Sequence, residues 1–136
     1  MAQWGSNVIR LDLYQGYWFD SADADTKGSY KQIIDAIIYY ATQNNMAVIL
    51  DLHWTEAGHQ NNMANQDSIR FWQEVAATYK DFGTVIFELF NEPFGISENV
   101  WLNGDNNYAG YQALYDAVRN DAGADNLVII GGLDYA

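Results

Sequence analysis

Gly83-Thr84-Val85-Ile86-Phe87-Glu88-Leu89-Phe90-Asn91-Glu92-Pro93 runs an apolar strand directly into an Asn-Glu-Pro step. A strand this apolar is expected to be buried on both faces, as in a parallel sheet covered by helices. Its carboxyl end then emerges at the rim where α/β folds place their sites. Glu92 is therefore a carboxylate standing where a sheet ends. Pro93 stops the ladder, because it has no N–H to donate, and it is expected to hold the residue before it extended. An ordinary strand exit with a solvated Glu carries the same signature, so the stretch speaks to architecture before chemistry.

Three more segments share its character. Apolar runs begin at Val8 (Val-Ile-Arg-Leu-Asp-Leu), Ala47 (Ala-Val-Ile-Leu-Asp-Leu) and Leu127 (Leu-Val-Ile-Ile-Gly-Gly), so the four starts lie 39, 38 and 42 residues apart. Each gap holds a helical rhythm. Ile33, Ile34, Ile37, Ile38 and Ala41 mark a helix from about Ser29 to Asn44. Ile69, Trp72, Val75, Ala76, Tyr79 and Phe82 mark a second, closed by Gly83 as a left-handed cap, and Tyr108, Tyr111, Leu114, Tyr115 and Val118 a third, closed by Gly123. Strands alternating with helices at this period mean parallel strands joined by right-handed crossovers.

Composition narrows the function classes. The chain has 136 residues, 49% hydrophobic and 15% aromatic, enough for the core of a single domain spanning 1–136. Eighteen acidic against six basic residues leave a net charge of -12. That balance speaks against nucleic acid or an anionic membrane surface as partner and favours a neutral ligand. There is no cysteine, so neither a disulfide framework nor a thiolate metal site is available. No apolar run reaches the roughly 18 residues of a membrane span, and the first residues lack the charged and apolar regions of a signal peptide.

Helix-to-strand links are short, whereas the strand-to-helix links, Tyr14 to Gly28, Trp54 to Gln66 and Phe94 to Asn107, are long and rich in polar and aromatic residues. Function therefore belongs at the strand carboxyl ends. Trp18, Trp54 and Trp101 each fall in one of these links. They read either as anchors packed under loops or as platforms for sugar rings, whose C–H faces are apolar and whose hydroxyls suit nearby Asn and Asp. Within the strands, Arg10 and Asp12 share one face of the first, Asp51 and His53 one face of the second, and Glu88 lies on the third. Buried charges must pair or line a solvated cavity. The layer could simply tie the sheet together, or it could position His53, Asn91 and Glu92 above it. Strict alternation sets Asn91 and Glu92 on opposite faces, so both reach one site only if the ladder bends or ends there.

Other chemistries find less support. His53-Trp54-Thr55-Glu56-Ala57-Gly58-His59 gathers two His and a Glu, but not as His-Glu-x-x-His, and no metal is expected. Gly131-Gly132 ends a strand without a dinucleotide or phosphate-loop pattern, and no Gly-x-Ser-x-Gly elbow occurs. No cofactor is expected.

Val85 to Pro93 with its Asn-Glu-Pro, Val48-Ile49-Leu50-Asp51-Leu52-His53-Trp54 and Asn7-Val8-Ile9-Arg10-Leu11 together resemble glycoside hydrolase family 5, the retaining cellulases and related β-glycanases built on a (β/α)8 barrel. Three motifs in order, spanning almost the whole chain, carry the resemblance. It implies that the segments are barrel strands two, three and four, with Leu127 to Gly132 as strand five. It implies Glu92 as general acid/base, Asn91 as the neighbour that hydrogen-bonds the sugar 2-hydroxyl, His53 as a ligand of the same sugar, and Arg10 as the arginine that supports the nucleophile. Trp54 and Trp18 join the substrate-binding set as aromatic platforms; with Trp101 they match no family motif. A β-linked polysaccharide or oligosaccharide is the implied partner, and a secreted setting the implied location.

The family's nucleophile, a second carboxylate about 5 to 5.5 Å from the acid/base, sits on strand seven. Eight units of about 40 residues make roughly 320 residues, so the expected fold is α/β, half of a (β/α)8 barrel with four parallel strands. No Glu or Asp here matches the nucleophile. Half a barrel leaves the strands at Val8 and Leu127 as open edges and an inner face rich in Ile, Leu and Phe exposed. The expected remedy is a homo-oligomer in which two chains pair edge to edge about a twofold axis and bring two copies of Glu92 to one pocket. A carbohydrate-binding fragment, or one that neither binds nor cleaves, are the other two readings.

Overall fold

The computed structural model describes residues 2–20, 29–56, 59 and 61–135. Part of the first long link, residues 21–28, and residues 57, 58 and 60 of the second lie outside the described residues. After a short 3-10 turn at Ala2–Trp4, the chain forms β1 (Val8–Tyr14), α1 (Gln15–Phe19), α2 (Tyr30–Gln43), β2 (Ala47–Trp54), α3 (Asp67–Tyr79), β3 (Val85–Glu88), α4 (Glu98–Asn103), α5 (Tyr111–Asp116) and β4 (Val128–Ile129). The strands make one sheet in chain order, parallel throughout. Right-handed crossovers between neighbours in this order put the long helices on one face of the sheet.

That placement corrects the expectation of strands buried on both faces. Val85 and Phe87 of β3 are buried, but Ile86 and Glu88 are only half-buried, because helices cover one face and nothing among the described residues covers the other. The register sets Leu50 beside Phe87 and Asp51 beside Glu88. Leu and Phe thus point to the helices, and the open face carries Ile and the charges, not the Ile, Leu and Phe expected there. Each large apolar side chain on the covered face contributes roughly 1.5–3 kcal/mol by leaving water. Phe87 meets Trp72 of α3 edge-on at 5.6 Å, and Trp72 meets Phe71 at 5.1 Å.

Local chemistry explains where the helices start and stop. Ser29 caps α2 in a reciprocal box: its hydroxyl accepts the Gln32 N–H while the Gln32 amide oxygen accepts the Ser29 N–H. Ile34, Ile38 and Ala41 then form the buried stripe. Gly123 has φ 65 and closes the third helical segment as expected, after a π-helical turn at Ala117–Asp121. Gly83 is not a left-handed cap; positive φ occurs at Gly5, Gly95, Gly104 and Gly123. Successive turns, with Phe82 donating to Tyr79 O and Val85 to Phe82 O, carry α3 into β3 without it. Tyr108 lies ahead of α5, in an isolated bridge with Asn65.

The three long links are stitched to one another at the strand carboxyl ends. Ser68 donates to the Gln15 amide oxygen (2.7 Å), and the Gln15 amide nitrogen donates to Asn65 (2.9 Å). Gln66 donates to the carbonyls of Asp105 (2.7 Å) and Tyr108 (3.0 Å). The rim is a hydrogen-bonded surface, which is the platform a site needs.

Candidate active site

Arg10 organises the open face. Its Nε and Nη2 donate to the two Glu88 oxygens at 2.7 and 3.0 Å, a bidentate pair, and Nη1 donates to Asp12 at 3.1 Å. Nη2 also lies 3.0 Å from Asp51 Oδ2 and donates to Asn91 Oδ1 at 2.8 Å. The side chains of β1, β2 and β3 thus form one cluster, as the alternation within the strands required. One guanidinium faces three carboxylates. The Glu88 hydrogen bond above all, with the Asp51, Glu88 and Asp12 charges, holds Arg10 well above the ordinary guanidinium range.

Asp51 is the buried member, with its side chain 0% exposed. Burial pushes its carboxyl up to about 7, against the opposing pull of His53 and Arg10. Its Oδ1 has no hydrogen-bond partner among the described residues. His53 Nδ1 sits 2.7 Å from Asp51 Oδ2, so an ionised Asp51 fixes the proton on Nδ1 and leaves Nε2, on the far side of the ring, as the acceptor. Asp12, Asp51 and His53 offer ligand atoms within 4.8 Å of one another. Arg10 already supplies the cation between the two carboxylates.

Above this layer the strand changes phase. Phe87 and Leu89 donate to Leu127 O and Ile129 O of the β4 segment, so in an unbroken ladder Phe90 would donate next toward β2. The donor to Leu52 O is instead Asn91, one residue late. This bulge turns Asn91 toward Arg10, where it is 5% exposed, and resolves the conflict between Asn91 and Glu92 posed by strict alternation. β2 slips as well: Leu13 pairs with Leu52 but Tyr14 with Trp54. Glu92 is exposed and adopts φ 46, so the residue before Pro93 is left-handed, not extended. A non-glycine residue held there signals backbone strain maintained by its surroundings.

Trp54, 37% exposed, stands at the rim edge-on to His53, with ring centroids 4.7 Å apart. Trp18 does not. It is 1% exposed, packed against Phe71 and Tyr79 with its indole donating to Glu74, and has no ring face to offer a sugar. Trp101 is half-buried and donates to Gly131 O at 3.0 Å. Sequence reading missed Asn62, whose backbone oxygen accepts the Phe94 N–H (3.0 Å) and whose amide donates to Phe94 O (3.0 Å), two residues past Glu92. A single Asn in a long polar link carries no periodic or motif signal.

A family model described as cellulase, glycosyl hydrolase family 5, matches residues 1–136. The chain belongs to that family. Endoglucanase A of Butyrivibrio fibrisolvens is 34% identical over 130 residues, covering 94% of this chain and 28% of that protein. A Clostridium saccharobutylicum endoglucanase is 33% identical over 129 residues, covering 95% and 27%. Among solved structures, XacCel5A in complex with cellopentaose superposes with TM-score 0.73 at 30% identity, over 99% of this chain and 42% of that one. Cel5A of Hypocrea jecorina, at 20% identity and TM-score 0.70, shares the fold. The family 5 chain therefore spans about 42% of a barrel structure and less than a third of these two curated relatives.

Proposed function

We propose that this family 5 chain supplies the acid/base side of a β-1,4-glucan hydrolase centre, acting outside the cell on a soluble or insoluble glucan. The observation that carries the reading is the Arg10–Asn91 hydrogen bond, which seats the Asn-Glu-Pro turn on the ionic layer and leaves Glu92 exposed at the strand carboxyl ends. Asn91, His53 through Nε2, and Trp54 hold the sugar. Trp18 is left out, because it is buried. Glu92 protonates the glycosidic oxygen as the bond to the anomeric carbon breaks, and a second carboxylate takes that carbon from the opposite face. Glu92 then removes a proton from the water that releases the glycosyl group.

The second carboxylate comes from a further segment of a longer protein or from a second copy of this chain. Open strand edges support the second source: Val8 and Leu127 are exposed, and an apolar cleft of about 290 Å³ lined by Ile9, Leu11, Ala36, Ile37 and Tyr40 flanks β1. Two copies closing an eight-strand ring would face their Glu92 side chains; near 5.5 Å retention is approached, and at about 6.5–9.5 Å a water fits and inversion follows. Hydrolysis of carboxymethyl cellulose, assayed beside sedimentation velocity, is the test. Glu92→Gln at unchanged oligomeric state is expected to lower kcat by about 10²–10⁴-fold. Unchanged kcat overturns the role of Glu92. Monomer alone in sedimentation overturns self-assembly, and binding of cello-oligosaccharides without hydrolysis would leave a carbohydrate-binding fragment.

A further inference from the structure

Glu92 hangs between two peptide planes, each clamped at both poles. In the plane joining Phe90 to Asn91, the carbonyl accepts the Tyr111 hydroxyl at 2.9 Å and the N–H donates to Leu52 O at 3.1 Å. In the plane joining Pro93 to Phe94, the carbonyl accepts the Asp134 N–H at 2.9 Å and the N–H donates to Asn62 O at 3.0 Å. A peptide unit is rigid and planar, so fixing its oxygen and its hydrogen fixes the orientation with which the chain enters the next residue. One plane leads into Asn91 and the other leaves Pro93.

Helix side chains have replaced the ladder at this point. Leu89 still donates to Ile129 O, but its carbonyl accepts the Trp72 indole N–H at 2.9 Å, where an unbroken parallel pairing would use a backbone N–H near Gly131. Gly131 O instead accepts the Trp101 indole at 3.0 Å. Trp72 is 0% and Tyr111 1% exposed, and neither belongs to the open face.

We propose that Tyr111, with Trp72 behind it, is a positioning residue for the acid/base turn: its phenol holds the Phe90 carbonyl and thereby sets Asn91 against Arg10 and keeps Glu92 in its left-handed conformation. The role in rate rests on the assignment of Glu92 as acid/base; the role in geometry does not. Removing the hydroxyl frees one pole of the plane that carries the Asn91 N–H.

The experiment is amide hydrogen exchange on Tyr111→Phe, Trp72→Phe and a control, Tyr79→Phe, which removes the hydroxyl of another buried tyrosine, one that donates to Asp35 far from the turn. Tyr111→Phe is expected to speed exchange at Asn91 by about tenfold or more, with Phe87, which donates to Leu127 O, unchanged; Trp72→Phe is expected to give the same local pattern and Tyr79→Phe none. In an assembly that hydrolyses glucan, Tyr111→Phe lowers kcat by about tenfold with KM within about twofold, the mark of a loss confined to the transition state. Asn91 exchange at the wild-type rate, or a loss of protection equal at Asn91 and Phe87 in both variants, overturns the proposal. A Glu92→Gln variant of full activity together with local loosening at Asn91 overturns the acid/base assignment and leaves the clamp standing.

Discussion

Arg10 is the residue on which the open face depends, because it is the cation shared by Asp12, Asp51 and Glu88 and the donor that reaches Asn91. Cutting it to Ala would leave the buried Asp51 with His53 alone as its partner and is expected to lower the urea midpoint, most at a pH where Asp51 is ionised. Asp51 also gives the site a pH signature. Its folded-state pKa of about 7 lies above the roughly 3.9 of an unfolded Asp, so the folded chain binds the extra proton between those values. The stability tied to that proton is fully present below about pH 3.9 and is lost as pH rises through about 7. Asp51→Asn keeps the shape without the titration. Urea unfolding of the two forms is therefore expected to show wild type losing stability relative to the variant between about pH 4 and pH 7, on the order of 3 kcal/mol. Parallel curves would mean that Arg10 and His53 hold Asp51 ionised throughout.

At the scale of elements, much was legible because period and punctuation are local. The strand starts, the helix opening near Ser29 and the Gly123 terminus all follow from short-range chemistry. Ser29→Ala removes the hydroxyl that receives the Gln32 N–H and is expected to cost about 1 kcal/mol, read from the urea midpoint at constant slope. A larger loss would mean that the hydroxyl does more than cap. Alternation called for a bend or an end of the ladder near Asn91, but the partners that take over there were not legible. There the carbonyls of Leu89 and Phe90 accept from Trp72 and Tyr111, and those residues read in sequence only as core positions of two helices. Trp18 fails for the converse reason. A Trp in a polar link looks available to a ligand until Phe71, Tyr79 and Glu74 are seen around it.

Across the whole molecule, open edges and charge pull against each other. β1 and β4 are the two ends of the sheet, flanked by exposed Val8, Leu127 and Ile130. Each copy carries -12, so a pair carries -24. Pairing of two copies through these edges is therefore expected to strengthen with salt, as the Debye length falls from about 30 Å near 0.01 M to about 3 Å near 1 M. Sedimentation velocity across that range checks it; a monomer at every salt concentration would overturn it. Among the described residues no helix is long and apolar enough to cross a membrane.

The amino-acid sequence by itself determined the repeating strand–helix units, the charged layer of Arg10, Asp12, Asp51 and Glu88, and the resemblance to a cellulase family. Those properties rest on periodicity, on strand alternation and on motifs a few residues long. Only the tertiary structure decided that Asn91 turns inward while Glu92 takes a left-handed backbone, that Trp18 is core, and that helix side chains hold the turn. These depend on which groups from distant segments complete the hydrogen bonds of a strand whose ladder has stopped, and no local pattern encodes that pairing.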